Sequence, residues 1–371
     1  MKLLVLSFSR IESDPRVRRQ IELFRDDWEI VTCGYGPKPE GSVEHFEIPE
    51  ELAVWRYPRV AMIARQYRRA YWGNRALAWA REHLGGHRFD VILANEVESA
   101  GVAAELEPSK GFHVDLHEYA PTLHTEKLTF RLFVAPFLRW QLRKFVSRAS
   151  STTTVGRAIA DRYRREFGFD TKLVMNAPAY SEREPHPTSS PIRVVHAGAA
   201  LRNRGLGTLI EAMERTSADV TLDLYLPPND PAYLEELRAA AARVPAVRMH
   251  EPVPFDSLID TLAGYDVGIH ILAPTNYNNA YAMPNKFFEY VQARLGLVIG
   301  PSPEMSATLT RHGLGVVADD FSADAVARAL DALTPERVDG FKAAAADAAR
   351  ELSAEAQMPV WKSAIDTIAG R

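Results

Sequence analysis

The chain has 371 residues, of which 46% are hydrophobic and 25% charged, with a formal net charge of −4. That length exceeds one ordinary core and fits two domains, and the composition is average for a soluble globular enzyme. A single cysteine, Cys33, excludes a disulfide framework and fits a reducing cytoplasm.

In chain order, the first apolar run is Leu3–Phe8, soon followed by Arg10. It is too short for a secretory or spanning segment and reads as a first strand. Ser13-Asp14-Pro15-Arg16-Val17-Arg18-Arg19 comes next, and Asp14 as N-cap with Pro15 at the first helical position predicts a helix start. The arginines one turn in point to an acidic acceptor or to solvent. Further strands are predicted at Ile30–Cys33, Val91–Ala94, His113–Leu116, Thr152–Val155 and Leu173–Met175. Asn95-Glu96 and Asp115-Leu116-His117-Glu118 each end a strand, where a parallel sheet exposes ligand groups. His117 there is a sugar or reaction-centre contact, or a satisfied core histidine. His113, Asp115 and His117 share a strand face, but no third His or Cys sits at ligand spacing, so no metal site is expected.

Charge is unevenly divided. Up to Arg183 there are 28 basic and 24 acidic residues, giving +4; the remainder has 16 and 24, giving −8. Arg56–Arg81 holds seven arginines and no acid, and Lys127–Ala160 holds seven basic residues and no acid. Both stretches are rich in aromatics, among them Trp55, Tyr67, Tyr71 and Trp72 in the first and Phe133, Phe137 and Trp140 in the second. Such a face suits an anionic membrane, a lipid-linked or anionic acceptor, or plain solvent; nucleic acid is the least favoured partner.

Residues 181–191 are polar and proline-rich and read as a linker. Beyond it, strands are predicted at Val194–Ala197, Leu222–Leu226, Val247–His250, Val267–Leu272, Leu297–Ile299 and Val316–Ala318. The first of these runs into Gly198, then Arg202-Asn203-Arg204-Gly205 and a helix over Leu206–Met213. A tight glycine loop with two arginines before a helix is an anion cradle, or a plain turn with surface arginines. Pro284-Asn285-Lys286-Phe287-Phe288-Glu289-Tyr290 opens a second helix. Its free N–H groups and Lys286 favour phosphate, and Glu289 can accept from a ribose diol. The alternative is a capped helix with a solvated charge pair. The uncharged run Val267–Asn285 carries four Asn and two Pro and cannot cross a bilayer. After the last strand the chain is helical from Ala323, and its final helix, over 355–371, could cross back to the first domain.

The strand–helix alternation predicts an α/β protein: two doubly wound, parallel-sheet, Rossmann-like domains facing a cleft. Their predicted extents are 1–180 and 192–354. No Gly-x4-Gly-Lys-Ser/Thr loop, Gly-x-Gly-x-x-Gly, Gly-x-Ser-x-Gly elbow or Asp-x-Asp pair occurs.

Over nearly its whole length the chain resembles the retaining GT-B glycosyltransferases, specifically the glycosyltransferase family 4 group. Ser13–Arg19 resembles that group's opening, and Asp115-Leu116-His117-Glu118 its Asp-x-His-Glu segment. Gly198 to Gly205 is similar to its donor diphosphate loop, with Arg204 where many relatives carry lysine. Pro284–Tyr290 is similar to the donor helix of a Pro-Asn-Lys subgroup. The resemblance implies transfer of a hexosyl unit from a nucleoside-diphosphate sugar to a glycan or lipid-linked acceptor, with retention and without a metal or other cofactor. It implies donor contacts at Gly198, Arg202, Asn203, Arg204, Gly205, Tyr281, Asn285, Lys286 and Glu289. Catalytic roles fall to His117, Arg204, Lys286 and Glu289, with His117 positioning the sugar. The acceptor side falls to Arg16, Asn95, Glu96, Asp115, His117 and Glu118. Tyr281 stands where many relatives carry a first glutamate, which alters the sugar contact. A cytoplasmic enzyme of polysaccharide or glycoconjugate synthesis, peripheral on the inner face of the membrane, is expected. The rivals are a sugar-nucleotide epimerase of the same architecture and a non-catalytic sugar-nucleotide-binding subunit.

Overall fold

The computed structural model describes residues 1–371, the side chain of Phe255 apart. The chain divides into two units, Met1–Met175 with Gln357–Arg371, and Asn176–Ala356.

The first unit is built on seven strands: β1 (Lys2–Arg10), β2 (Glu29–Tyr35), β3 (Glu44–Glu47), β4 (Val91–Asn95), β5 (Gly111–Leu116), β6 (Ser151–Thr154) and β7 (Lys172–Leu173). They run parallel in the order β3-β2-β1-β4-β5-β6-β7. Helices cover both faces, so central strands such as Leu3–Leu6 and Val91–Ala94 are buried throughout. That is why they read as unbroken apolar runs. Strand β3, Glu44-His45-Phe46-Glu47, was not expected. It lies at the sheet edge with half-exposed side chains, and its sequence carries no apolar run.

The helix Ala354–Ala369 closes this unit. Trp361 and Ile365 are buried in its core among Leu3, Val5, Val17 and Phe24, and the Trp361 indole N–H donates to Thr153 Oγ1 at 3.2 Å. Most aromatics of the two basic stretches also turn inward. Tyr71 meets Phe145 with ring centroids 4.9 Å apart, and Phe137 stacks on Trp140 at 5.9 Å. They join helix Tyr67–Trp72 to helix Ala135–Lys144 rather than forming an outer aromatic face.

The second unit has six parallel strands: β8 (Ile192–Ala197), β9 (Val220–Tyr225), β10 (Val247–His250), β11 (Val267–His270), β12 (Gly296–Ile299) and β13 (Gly315–Val317). Their order is β10-β9-β8-β11-β12-β13. The proline-rich stretch 181–191 belongs to this unit instead of bridging two bodies. Arg183 pairs with Asp260 at 2.7 Å, Ser181 O accepts from Arg294 at 2.6 Å, and Thr188 N–H donates to Asp339 at 2.9 Å. Polar composition reads as a linker, but here the polar groups are spent on anchoring.

Both sheets reverse strand order once, between β1 and β4 in the first and between β8 and β11 in the second. Doubly wound sheets bind ligands at the carboxyl ends of the strands flanking that switch. No helix among the described residues is long and apolar enough to cross a membrane.

Candidate functional site

In the second unit the switch point carries Gly198 after β8 and His270 at the end of β11. Helix Asn285–Gln292 is seated over it by packing. Gly268 of β11 lacks a side chain, and the ring of Tyr290 fills that space, with its hydroxyl donating to Ile269 O at 3.3 Å. Phe287 and Phe288 are buried beside it. This fixes the first helical turn, and Lys286 with it. A β-carbon on Gly198 would stand 2.2 Å from Lys286 Cε and 2.6 Å from Nζ, so only glycine admits the lysine here. Gly205 is held at φ +67°, where a β-carbon would stand 2.7 Å from Ile271 O, another place that demands glycine.

The local electrostatics are cationic. Burial lowers the Lys286 ammonium below its ordinary value; Glu289 opposes the shift and Arg204 adds to it. Burial raises the Glu289 carboxyl, with Lys286 opposing. Neither Glu289 nor the Arg204 guanidinium has a hydrogen-bond or ion-pair partner among the described residues. Beneath them lie two imidazoles, His196 and His270, stacked 5.8 Å apart and 9° from parallel. His196 Nδ1–H donates to Ile269 O at 2.8 Å, which leaves Nε2 as an acceptor. Burial, then Lys286, pushes His196 down to about 3, and burial with His196 and Lys286 holds His270 well below the usual range. Both ring nitrogens of His270 are buried without a partner. The result is two neutral imidazoles close to two cations that hold no ion pair among the described residues, with Glu289 offsetting Lys286 only in part, a setting that favours an anion.

Not every expected donor contact gathers here. Arg202 is exposed and engaged elsewhere, with Nη1 and Nη2 donating to Glu236 at 2.8 and 2.6 Å and its guanidinium over Tyr233 at 4.8 Å. Helix Pro231–Ala241 supplies both partners and draws the side chain aside. Asn203 and Asn285 are exposed. Tyr281 is half-buried, its ring 4.6 Å from that of Tyr277.

In the first unit, the predicted cap forms: Asp14 accepts from Arg16 N at 3.0 Å and Val17 N at 3.2 Å, with Pro15 at the first helical position. Arg16 does not face an acceptor. Its Nε and Nη2 each donate to Asp115 at 2.7 Å, its Nη1 donates to Val174 O at 2.9 Å, and the guanidinium lies over Trp361 at 4.7 Å. Asp115 also accepts from Gln20 at 2.8 Å and Thr153 at 2.6 Å. Burial works against its charge, but Arg16 outweighs it and holds the carboxyl well below the usual range. The side chain of Asn95 is closed off in a reciprocal amide pair with Gln20. Thus Arg16, Asn95 and Asp115, expected on the acceptor side, form a saturated buried network.

That network presents His117. Its Nδ1 lies 3.1 Å from Glu96 Oε1, and its Nε2 lies 3.5 Å from Asp115 Oδ2. Burial disfavours the imidazolium, but Glu96 and Asp115 together raise it above its ordinary value. Glu96, at the end of β4, adopts φ +66°, and burial lifts its carboxyl to about 7, with His117 opposing. A non-glycine residue in this left-handed region is strained, a conformation shared by Arg65, Glu107 and Arg294. Glu118 is exposed, with its carbonyl accepting from Tyr163 at 2.6 Å. His113 is satisfied by Ser151 at 2.7 Å and Thr153 at 2.8 Å.

Against known proteins, no family model and no curated sequence matches the chain. Solved structures do. Anabaena HepE in complex with UDP and glucose is 13% identical, with a TM-score of 0.71 over 99% of this chain and 100% of that one. The E. coli trehalose-6-phosphate structure bound with UDP-2-fluoro glucose is also 13% identical, with a TM-score of 0.71 over 100% and 99%. Sucrose-phosphate synthase from Thermosynechococcus elongatus is 12% identical, with a TM-score of 0.72 over 100% of both chains.

The chain has the GT-B fold. Within this GT-B chain, sequence reasoning missed the His196–His270 stack and the Gln20 amide. Each histidine is visible near the end of an apolar run, but their pairing depends on β11 lying beside β8, which only the strand order reveals.

Proposed function

We propose that the chain is a metal-independent, retaining glycosyltransferase that moves a hexosyl unit from a nucleoside-diphosphate sugar to a glycan or lipid-linked hydroxyl. One observation carries the proposal. At the β8/β11 switch, Lys286 stands against Gly198, Arg204 is close enough to shift its ammonium, neither cation holds an ion pair among the described residues, and the unpaired carboxylate of Glu289 is one helical turn from the lysine. Two cations and exposed backbone suit a diphosphate, and the carboxylate suits a ribose diol. The structural neighbours bound to UDP or a UDP-sugar support the same reading.

In this mechanism the bond from the anomeric carbon to the phosphate oxygen breaks, and its electron pair leaves on the diphosphate. Lys286 and Arg204 stabilise that charge. The acceptor oxygen attacks the same face of the sugar, and its proton passes to the departing phosphate oxygen. His117 positions the sugar, with Glu96 orienting its ring. The family 4-like Pro-Asn-Lys grouping, a place in bacterial polysaccharide or glycoconjugate synthesis, and a lipid-linked acceptor at the inner membrane face belong to the same proposal.

Calorimetry with uridine and guanosine diphosphates, with and without chelator, tests the donor site. Binding unaffected by chelator, and lost on Arg204→Ala, is expected. Turnover with a donor panel and membrane extract separates the classes: transfer supports the proposal, free epimer supports an epimerase, and tight binding without turnover supports a binding subunit.

A further inference from the structure

Most large apolar side chains of this protein are buried, and the few exceptions cluster. Among the described residues seven large hydrophobics are exposed, and five of them are Trp55, Val60, Ile63, Leu128 and Leu132. Val60 and Ile63 are one turn apart on the short helix Arg59–Ile63, whose other side buries Ala61 and Met62. Leu128 and Leu132 are likewise one turn apart, on the segment leading through the π-helical turn Phe130–Val134, which packs against that helix. Trp55, 74% exposed, precedes the first of them. Two short helices with adjacent apolar ridges facing outward leave a patch that water disfavours.

The charges around it are predominantly positive. Arg56, Arg59, Arg65, Arg68 and Arg69 are exposed, and none has an ion pair among the described residues. Lys127 and Arg131 are exposed and unpaired on the neighbouring segment, where one acid, Glu126, lies 3.4 Å from His124 Nδ1. Beside the patch, Gln66, Tyr67, Arg68, Arg69 and Trp72 line an open depression of ≈ 600 Å³. Elsewhere on the chain arginines are commonly paired: Arg25, Arg162, Arg183, Arg202, Arg215 and Arg238 all hold carboxylates.

We propose that this face docks the protein on an anionic lipid surface, with Val60, Ile63, Leu128, Leu132 and Trp55 entering the headgroup–acyl boundary and the unpaired basic residues contacting lipid phosphates. An apolar ridge rimmed by uncompensated cations matches that interface in both chemistry and geometry. A second copy of the chain would bring the same cations onto each other and is disfavoured by charge. The inference stands on the first unit and does not depend on the nucleotide site of the second.

The test uses the full chain, floated with vesicles of phosphatidylcholine alone or with about a third phosphatidylglycerol. Binding to the mixed vesicles, with a blue shift of tryptophan emission that Trp55→Phe removes, is expected. Arg59→Gln with Arg65→Gln and Arg131→Gln should weaken partition by about tenfold or more. Val60→Ser with Ile63→Ser and Leu132→Ser should weaken it comparably, while uridine diphosphate affinity and melting temperature stay at wild-type values. Failure of the wild type to bind mixed vesicles overturns the proposal, as does binding that the serine substitutions leave unchanged. A concentration-dependent dimer abolished by those substitutions would assign the patch to self-association instead. Loss of nucleotide binding with vesicle binding intact would count against the donor site alone.

Discussion

The ammonium arm of Lys286 occupies the space that a side chain on Gly198 would need, with Cε 2.2 Å and Nζ 2.6 Å from the position of a β-carbon there. The strand end and the helix start are therefore matched through a missing methyl group. Gly198→Ala should displace the lysine without unfolding the domain, because the obstructed atoms are the tip of a flexible chain. Nucleotide diphosphate affinity should drop at least about tenfold, with stability changed by about 1 kcal/mol or less. Gly268→Ala makes the contrast. There a β-carbon would meet the buried Tyr290 ring at 2.2 Å, so about 1–3 kcal/mol or more of overpacking is expected in urea unfolding. Equal effects of the two substitutions on binding and stability would contradict this division.

Two arginines separated by one residue should behave oppositely. The field of Arg204 is felt by His196, His270 and Lys286, and its guanidinium has no partner among the described residues. Arg202 is committed to Glu236. Arg204→Ala should lower turnover by about a hundredfold or more with the melting temperature unchanged, whereas Arg202→Ala should leave turnover within about twofold. Steady-state kinetics on both variants decides. A wild-type rate in the Arg204 variant would remove it from the mechanism.

These pairs show what a sequence carries. The central strands, the Gly198 loop and the Lys286–Glu289 helix were legible because local rules write them: apolar runs between helices, a glycine after a strand, charges in a first turn. Strand β3 was not, because Glu44-His45-Phe46-Glu47 is an edge strand whose pairing with β2 needs no hydrophobic face. The different fates of Arg202 and Arg204 depend on helix Pro231–Ala241 lying alongside. The union of Arg16 with Asp115 joins positions far apart in the chain, because β5, which carries Asp115, lies next but one to β1 in the sheet. Stretch 181–191 shows the converse error, since polar and proline-rich composition cannot say which polar groups already have partners.

The Arg16–Asp115 pair carries a stability prediction. Both side chains are buried, and the carboxylate takes four donated hydrogen bonds. Removing either partner strands an opposite charge in the core. Arg16→Met or Asp115→Leu should cost about 3–5 kcal/mol in denaturant unfolding. The double variant should recover only part of that, because Gln20 and Thr153 lose their acceptor, and the cycle gives the coupling. Diphosphate binding, proposed for the other unit, should be unaffected in any variant that folds. A loss of binding in folded protein would instead give Arg16 a direct part in the chemistry.

Glu96 and His117 titrate as a coupled pair, and the direction of their effect on stability is fixed. Glu96 keeps its proton up to about 7 in the folded chain, against an ordinary value of 4.5. His117 is raised above 6.5. Both shifts mean that the folded state holds protons more tightly than the unfolded one. Their stabilisation is therefore complete in mild acid and lost as pH rises, first through the Glu96 range and then through that of His117. The melting temperature should fall between about pH 5 and pH 8 for this reason. Glu96→Gln should flatten that slope, both by deleting the carboxyl and by removing the partner that most raises His117. Glu96→Gly should flatten it too, and should in addition relieve the left-handed backbone at φ +66°, gaining about 1 kcal/mol. In turnover the two substitutions should part from stability, because a pair that orients the sugar shifts the pH profile of kcat/KM while one that only packs leaves it in place. A Glu96→Gln enzyme with the wild-type profile would reduce the pair to a structural element.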